Sequence, residues 1–258
     1  MCGGGWEQIQ RAESGEIVLG AFPGFDFRAP AEHSDGALSY FKKGRSGARV
    51  GYVRKDAFYR KAKREGERSR AAYKIEELNR RFSLFRRGDR VLDLGAFPGG
   101  WSQVAARAVG PGGRVVGVDL VPIEPLPEKN AVFLEGDLTD PATIERVLSA
   151  LGGPVRCVLS DASPKLSGIR DADAARSRAL VEAVVAFALA VLPAGGNLAC
   201  KVFSEAGPEE LRKTLEGRFE RVRLFRPEAT RKESSEIYLV ATGRRENPPE
   251  LTAEPRDR

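Results

Sequence analysis

Five ionisable residues stand where an α/β sheet would carry chemistry. Asp93 lies in the apolar run Val91-Leu92-Asp93-Leu94, and Asp119 closes the run Arg114-Val115-Val116-Gly117-Val118. Asp137 follows Ala131-Val132-Phe133-Leu134-Glu135, and Asp161 follows Val155-Arg156-Cys157-Val158-Leu159-Ser160. Lys201 sits inside Asn197-Leu198-Ala199-Cys200-Lys201-Val202-Phe203. Each run reads as a buried strand, and open α/β sheets bind ligands at the carboxyl ends of their strands. Four carboxylates in corresponding positions are more than solubility requires. Carboxylates suit ribose hydroxyls, and Asp137 is placed to meet an adenine amino group. A lysine in a central strand is expensive to bury unless it is paired or faces a cleft, and there it can move a proton. The only histidine, His33, lies far from this set. A Ser-His-Asp triad and a histidine-rich metal site are therefore excluded from the main domain, and no metal is expected.

The elements that must position these groups begin with Val91-Leu92-Asp93-Leu94-Gly95-Ala96-Phe97-Pro98-Gly99-Gly100-Trp101, and the helical stretch 102–108 comes next. Strand, glycine turn and helix open a nucleotide pocket in doubly wound folds. Gly95 and Gly99 allow a tight turn and a close backbone approach by a ligand. The spacing is not the dinucleotide G-x-G-x-x-G, and Pro98 removes an N–H that a pyrophosphate would need. An acidic residue at the end of the next strand, Asp119, suits ribose hydroxyls. An adenosine ligand without phosphates fits these features, and S-adenosylmethionine is the common one.

Around this centre the chain alternates. Helices are expected over 54–81, 141–151, 172–192 and 208–217, and strands over 114–119, 131–135, 155–160, 197–203, 219–225 and 236–241. That order demands a mainly parallel sheet with helices on both faces. Residues 1–53 form an extension punctuated by Gly, Pro and Ser, and 245–258 read as a disordered tail; the domain proper is expected over 54–244. The segment Leu19-Gly20-Ala21-Phe22-Pro23-Gly24 repeats 94–99 letter for letter. Its next residues, Phe25-Asp26-Phe27-Arg28-Ala29-Pro30, are no helix start, so the repeat reads as coincidence.

The net charge of +6 is unevenly spread. Residues 42–70 hold twelve Lys or Arg against Asp56, Glu65 and Glu67. A basic segment on a mildly acidic domain points to a polyanion neutralised through its phosphates. Cys2, Cys157 and Cys200 make neither a disulfide framework nor a zinc spacing, and a reducing cytoplasm is the natural compartment. No apolar stretch reaches membrane-spanning length, and no signal peptide opens the sequence.

Five motifs then occur in order: Arg68-Ser69-Arg70-Ala71-Ala72-Tyr73-Lys74, the loop from Asp93 to Trp101, the loop from Asp161 to Gly168, Lys201-Val202-Phe203, and Ser234-Ser235-Glu236-Ile237-Tyr238. Each is weak by itself. Together they strongly resemble the FtsJ-like ribosomal RNA 2'-O-methyltransferases, from about Ala57 to Arg244. The resemblance implies a Rossmann-like, seven-stranded S-adenosylmethionine-dependent methyltransferase fold. It implies a catalytic tetrad of Lys74, Asp161, Lys201 and Glu236, with Lys201 as the proton acceptor, and cofactor contacts at Gly99, Trp101, Asp119, Asp137 and Asp161. The implied substrate is a uridine 2'-hydroxyl in large-subunit ribosomal RNA, on the assembled large ribosomal subunit, and the expected state is a monomer. The loop after Asp161 reads Ala-Ser-Pro-Lys where the bacterial type has Ala-Pro-Asn. Alternatives are the same chemistry on transfer RNA, on a messenger cap or in a haemolysin-like enzyme, and an RNA-binding module without catalysis. No cap pocket is evident, and 1–50 lacks a clear S4-type pattern.

Overall fold

Short apolar runs rich in Val, Leu and Ala supply the strands, because a strand covered on both faces needs no alternation of polar residues. In the computed structural model the described residues are 57–246 apart from 139, 165, 166 and 232. The N-terminal extension up to 53, with the Leu19 to Gly24 repeat, and the tail beyond 246 lie outside them.

Seven strands form one sheet: β1 (Arg90–Leu94), β2 (Arg114–Asp119), β3 (Ala131–Glu135), β4 (Cys157–Ser160), β5 (Asn197–Phe203), β6 (Phe219–Phe225) and β7 (Glu236–Arg244). Their order is β3-β2-β1-β4-β5-β7-β6. β1 to β5 pair in parallel, while β7 inserts antiparallel between β5 and β6. The order reverses between β1 and β4, and the crevice above such a switch point is where doubly wound sheets bind ligands.

The helices are α1 (Ala57–Glu65), α2 (Ala72–Phe82), α3 (Gly100–Val109), α4 (Pro141–Leu151), α5 (Arg170–Val191) and α6 (Pro208–Glu216). One sheet face buries Ile75 and Leu78 of α2 and Trp101 and Val109 of α3 against Val91, Leu159 and Val240. The other buries Ile144 of α4, Val185 of α5 and Leu215 of α6 against Leu92, Val158 and Leu239. Among the described residues no helix is long and apolar enough to cross a membrane.

The sequence read 54–81 as one basic helix, but the structure divides it. Gly66 adopts φ +73°, a left-handed conformation that a glycine takes at little cost. The backbone then crosses as a loop over the amino end of α3 before α2 begins. The Gln103 side chain fastens this loop, accepting from the Arg68 N–H at 3.0 Å and donating to the Gly66 carbonyl at 3.3 Å.

Candidate active site

Three strands and a helix start bring four charged residues to one spot. Parallel register sets Ser160 opposite Cys200, so Asp161 leaves β4 beside Lys201. Antiparallel register sets Lys201 opposite Tyr238 on β7. Glu236 stands two residues before Tyr238 and shares its face, because side chains alternate along a strand. Lys74 comes from the first turn of α2, whose neighbours Ala72, Ile75 and Leu78 are fully buried and carry it inward.

These groups form one hydrogen-bonded chain. Lys74 Nζ donates to Glu236 Oε2 and to Tyr238 Oη, each at 2.9 Å. Tyr238 Oη donates to Asp161 Oδ1 at 2.7 Å. Lys201 Nζ donates to the Asp161 carbonyl at 2.7 Å and lies 3.3 Å from its carboxylate. Lys74 is 5 % exposed, Lys201 7 % and Tyr238 0 %, so both lysine amino groups depend on these partners. Burial and the Asp161 charge push the Tyr238 phenol well above its usual pKa, which keeps it a neutral donor. Its ring packs on Trp101 with centroids 5.6 Å apart. Beside the chain, burial and Arg231 lower the pKa of Arg70, whose guanidinium donates to the Ala229 carbonyl. Tyr238 was not singled out from the sequence as a site residue. Its two-residue spacing from Glu236 is the signal that places it there.

Next to the tetrad, Ser69, Ala71, Asp93, Gly95, Ala96, Pro98 and Asp161 are among the residues lining a cleft at the carboxyl end of β1. Gly95 (φ +73°) passes so close to β4 that an added Cβ would stand 2.5 Å from Ala162 Cβ. Gly99 caps α3 in a left-handed conformation, and no side chain caps that helix. The first N–H groups of α3 therefore face the cleft with the helix dipole behind them, which favours a carboxylate. Ser69 Oγ is buried there without a hydrogen-bond partner. Asp93 is 1 % exposed, accepts from the Ser102 hydroxyl at 2.6 Å, and is pushed up to about 7 by burial.

The residues that the resemblance implies as cofactor contacts fall into different places. Asp161 joins the cleft to the tetrad. Trp101 borders the cleft at the start of α3, with its Nε1 donating at 2.9 Å to the carbonyl of Ala71, another lining residue. Asp119 accepts from the Phe97 N–H at 2.9 Å and the Val121 N–H at 3.0 Å, tying the glycine loop to the end of β2. Asp137 lies just past the end of β3, one strand further out. Arg68 donates to the carbonyls of Pro98, Glu124 and Pro125 and so laces the loop before α2 to the glycine loop and to the loop after β2. Among the described residues no cluster of three or more His, Cys, Asp or Glu has the arrangement of a metal site.

The profile of the FtsJ-like methyltransferases matches residues 67–244, which contains the whole sheet, the cleft and all four tetrad positions. The chain belongs to the FtsJ-like methyltransferase family. This FtsJ-like methyltransferase is 45% identical over 185 residues to a ribosomal RNA large subunit methyltransferase E of Methanobrevibacter smithii, covering 72% of the chain and 88% of that protein. It is 46% identical over 187 residues to the protein of that name from Methanothermobacter thermautotrophicus, covering 72% and 89%. Among solved structures, a Plasmodium falciparum protein described as a ribosomal RNA methyltransferase superposes with a TM-score of 0.61 at 27% identity, covering 69% of this chain and 98% of that one. The mainly parallel seven-stranded methyltransferase fold expected from the sequence is thus observed.

Proposed function

We propose that this enzyme transfers the methyl group of S-adenosylmethionine to a uridine ribose 2'-hydroxyl in large-subunit ribosomal RNA. The observation that carries the reading is the buried Lys74–Tyr238–Asp161–Lys201 chain, with Glu236 attached, opening beside the glycine-loop cleft. Curated relatives from two archaea at about 45% identity, named for the large-subunit RNA, support the substrate class. The cleft fits the cofactor. Its uncapped helix start and the orphan Ser69 hydroxyl suit an amino-acid carboxylate. Gly99, Trp101, Asp119, Asp137 and Asp161 are the residues assigned to hold it.

When bound, S-adenosylmethionine supplies an electrophilic methyl group on a sulfonium, and its C–S bond breaks as the O–C bond forms. The protein must align three atoms, which is a proximity task, and must remove a hydroxyl proton whose pKa is far above neutral. Lys201 as the neutral amine takes that proton. The ammonium so formed is held by the carbonyl and carboxylate of Asp161, within 2.7 and 3.3 Å. Lys74, fixed between Glu236 and Tyr238, positions the ribose or its phosphate with a charge that cannot swing away. Lysine suits these tasks, since it is a point charge able to give up a proton.

The reading includes an extension over 1–53, a domain over 54–244 and a tail over 245–258, supported by a family match that starts at 67 and a first helix at Ala57. Buried free thiols at Cys157 and Cys200 accord with a reducing cytoplasm. The test is a methylation assay with labelled cofactor on large ribosomal subunits, free ribosomal RNA and transfer RNA in parallel, with the product then mapped. Label at one uridine ribose of the large-subunit RNA is expected. Label on transfer RNA alone, or on a base, overturns the reading.

A further inference from the structure

Several surface arginines of this protein are matched by carboxylates. Arg107 pairs with Glu67 and Glu128, Arg178 with Glu182 and Glu210, and Arg212 with Glu209 and Glu216. An open groove carries arginines that are not matched in this way. It runs between the last turn of α2 and the outer strands β6 and β7, lined by Arg81, Phe82, Ser83, Arg221, Arg223, Val240 and Thr242. Its three arginines are exposed, and among the described residues none of them pairs with a carboxylate; the Arg223 guanidinium donates only to the adjacent Val222 carbonyl, at 2.9 Å. Arg221 and Arg223 lie opposite Thr242 and Val240, so they share the sheet face that α2 covers further in. Glu220, the carboxylate of the same strand, alternates to the other side with Val222, the side where α6 packs.

The groove is built. The Arg81 guanidinium stands 4.9 Å from the centre of the Phe225 ring, and Phe225 packs edge-on against Phe82 at 5.4 Å. A guanidinium held on an aromatic face loses little freedom when it meets an anion, and its free edge still carries donors. Arg221 and Arg223, two residues apart on one strand, stand roughly 7 Å apart. That is comparable with the spacing of successive phosphates along a nucleic-acid strand. The groove is also built on two elements that carry active-site residues. α2 carries Lys74 in its first turn and Arg81 in its last, about 10 Å along the axis, and β7 begins at Glu236 and continues to Val240 and Thr242.

We infer that this groove binds the phosphate backbone of the substrate RNA a few nucleotides from the methylated ribose, as a second anchor separate from the basic helix α1. The inference rests on RNA being the substrate. Charge complementarity selects the occupant: three exposed guanidiniums without a carboxylate partner fit a polyanion whose charges repeat at a fixed spacing.

The test compares the wild-type chain with Arg81→Gln/Arg221→Gln/Arg223→Gln and with Arg221→Gln/Arg223→Gln, which keeps the Arg81–Phe225 stack. A control, Arg107→Gln/Arg178→Gln/Arg212→Gln, removes three paired charges from other surfaces. Anisotropy with free ribosomal RNA is measured across salt concentrations, together with steady-state methylation and calorimetry with S-adenosylhomocysteine. The triple variant is expected to lower the magnitude of the salt slope by about 2 and the double variant by about 1.4. KM for RNA should rise tenfold or more, while kcat at saturating RNA and cofactor affinity stay at wild-type values and the control keeps the wild-type slope. Unchanged KM and slope in both variants, or an equal change in the control, overturns the inference. A defect on assembled subunits with none on free RNA also overturns it, because the occupant is then an acidic ribosomal protein. Wild-type enzyme that methylates no RNA fails at an earlier step: it sinks the substrate reading and takes this inference with it.

Discussion

Lys201 and Lys74 are both buried, but their partners differ, and so do the roles assigned to them. Lys201 pairs with Asp161, through a carbonyl and a carboxylate, whereas Lys74 is held by Glu236 and by the neutral phenol of Tyr238. Lys201→Ala should lower single-turnover methylation by roughly 10²–10⁴, the usual worth of a positioned acid or base, with cofactor affinity unchanged. Lys201→Arg should not rescue, since a guanidinium gives up no proton near neutral pH. Near wild-type rates in the arginine variant would make Lys201 an electrostatic group instead of the base. Tyr238→Phe keeps the ring against Trp101 and deletes one hydroxyl that serves both Lys74 and Asp161. It should cost about 1–3 kcal/mol in denaturant unfolding and lower kcat more than it alters KM. Full activity with full stability would show that the hydroxyl is dispensable.

Asp93 carries a pH signature. Its folded pKa of about 7, raised first by burial, exceeds the unfolded value of about 4. The folded chain thus binds a proton that the unfolded chain has released, so stability falls as pH rises from about 4 to about 7. Asp93→Asn can still accept from Ser102 and does not ionise. Thermal unfolding of the two proteins should differ little near pH 4.5, and the asparagine variant should be the more stable at pH 8, with roughly 2–4 °C for each kcal/mol. An equal difference at both pH values would reject a buried ionisation at Asp93.

At the scale of elements, the site depends on how closely the glycine loop approaches its neighbours. Gly95 combines a left-handed backbone with an approach to Ala162 that leaves no room for a Cβ. Gly95→Ala adds backbone strain of about 1–2 kcal/mol and must also push the loop away from the end of β4. Because Asp161 stands at that end, the variant should lose cofactor affinity, by calorimetry, along with stability. Stability loss with wild-type affinity would separate the loop from the cleft. The loop before α2 is the other dependent element. Gln103 and Arg68 fasten it to α3, to the glycine loop and to the loop after β2, so basic residues in the sequence around 68–70 act as structural ties as well as charges.

At the scale of the whole molecule, charge is segregated. α1 presents Arg60, Lys63 and Arg64 without a carboxylate partner among the described residues, while Lys61 faces Glu65 at 4.0 Å and the Tyr73 ring at 4.4 Å. Replacing Arg60, Lys61, Lys63 and Arg64 by glutamine should weaken RNA binding and reduce the salt slope by up to about 3, with affinity for S-adenosylhomocysteine unchanged. An unaltered slope would make α1 a solvated helix and place the RNA path elsewhere.

The sequence by itself determined the α/β class, because apolar runs of five or six residues alternating with helical stretches leave few other solutions. Strands 114–119, 131–135, 197–203 and 219–225 were legible to the residue, since burial on both faces demands continuous apolar runs. The glycine turn was legible as well, because conformations with positive φ call for glycine. Four positions implied by a family resemblance, Lys74, Asp161, Lys201 and Glu236, do meet in space. What sequence did not decide was long-range pairing. The antiparallel insertion of β7 sets Tyr238 opposite Lys201, and nothing local fixes the partner or direction of a strand. The break at Gly66 lies in a basic stretch with no strong apolar stripe, where tertiary ties from Gln103 and Arg68 outweigh helix propensity. The resemblance names Trp101 without saying what its ring touches; only the structure shows the indole N–H donating to the Ala71 carbonyl and the ring on Tyr238, at the border of the cleft. The arginine groove existed in sequence only as scattered charges at 81, 221 and 223. Packing α2 beside β7, with β6 outside it, is what gathered them.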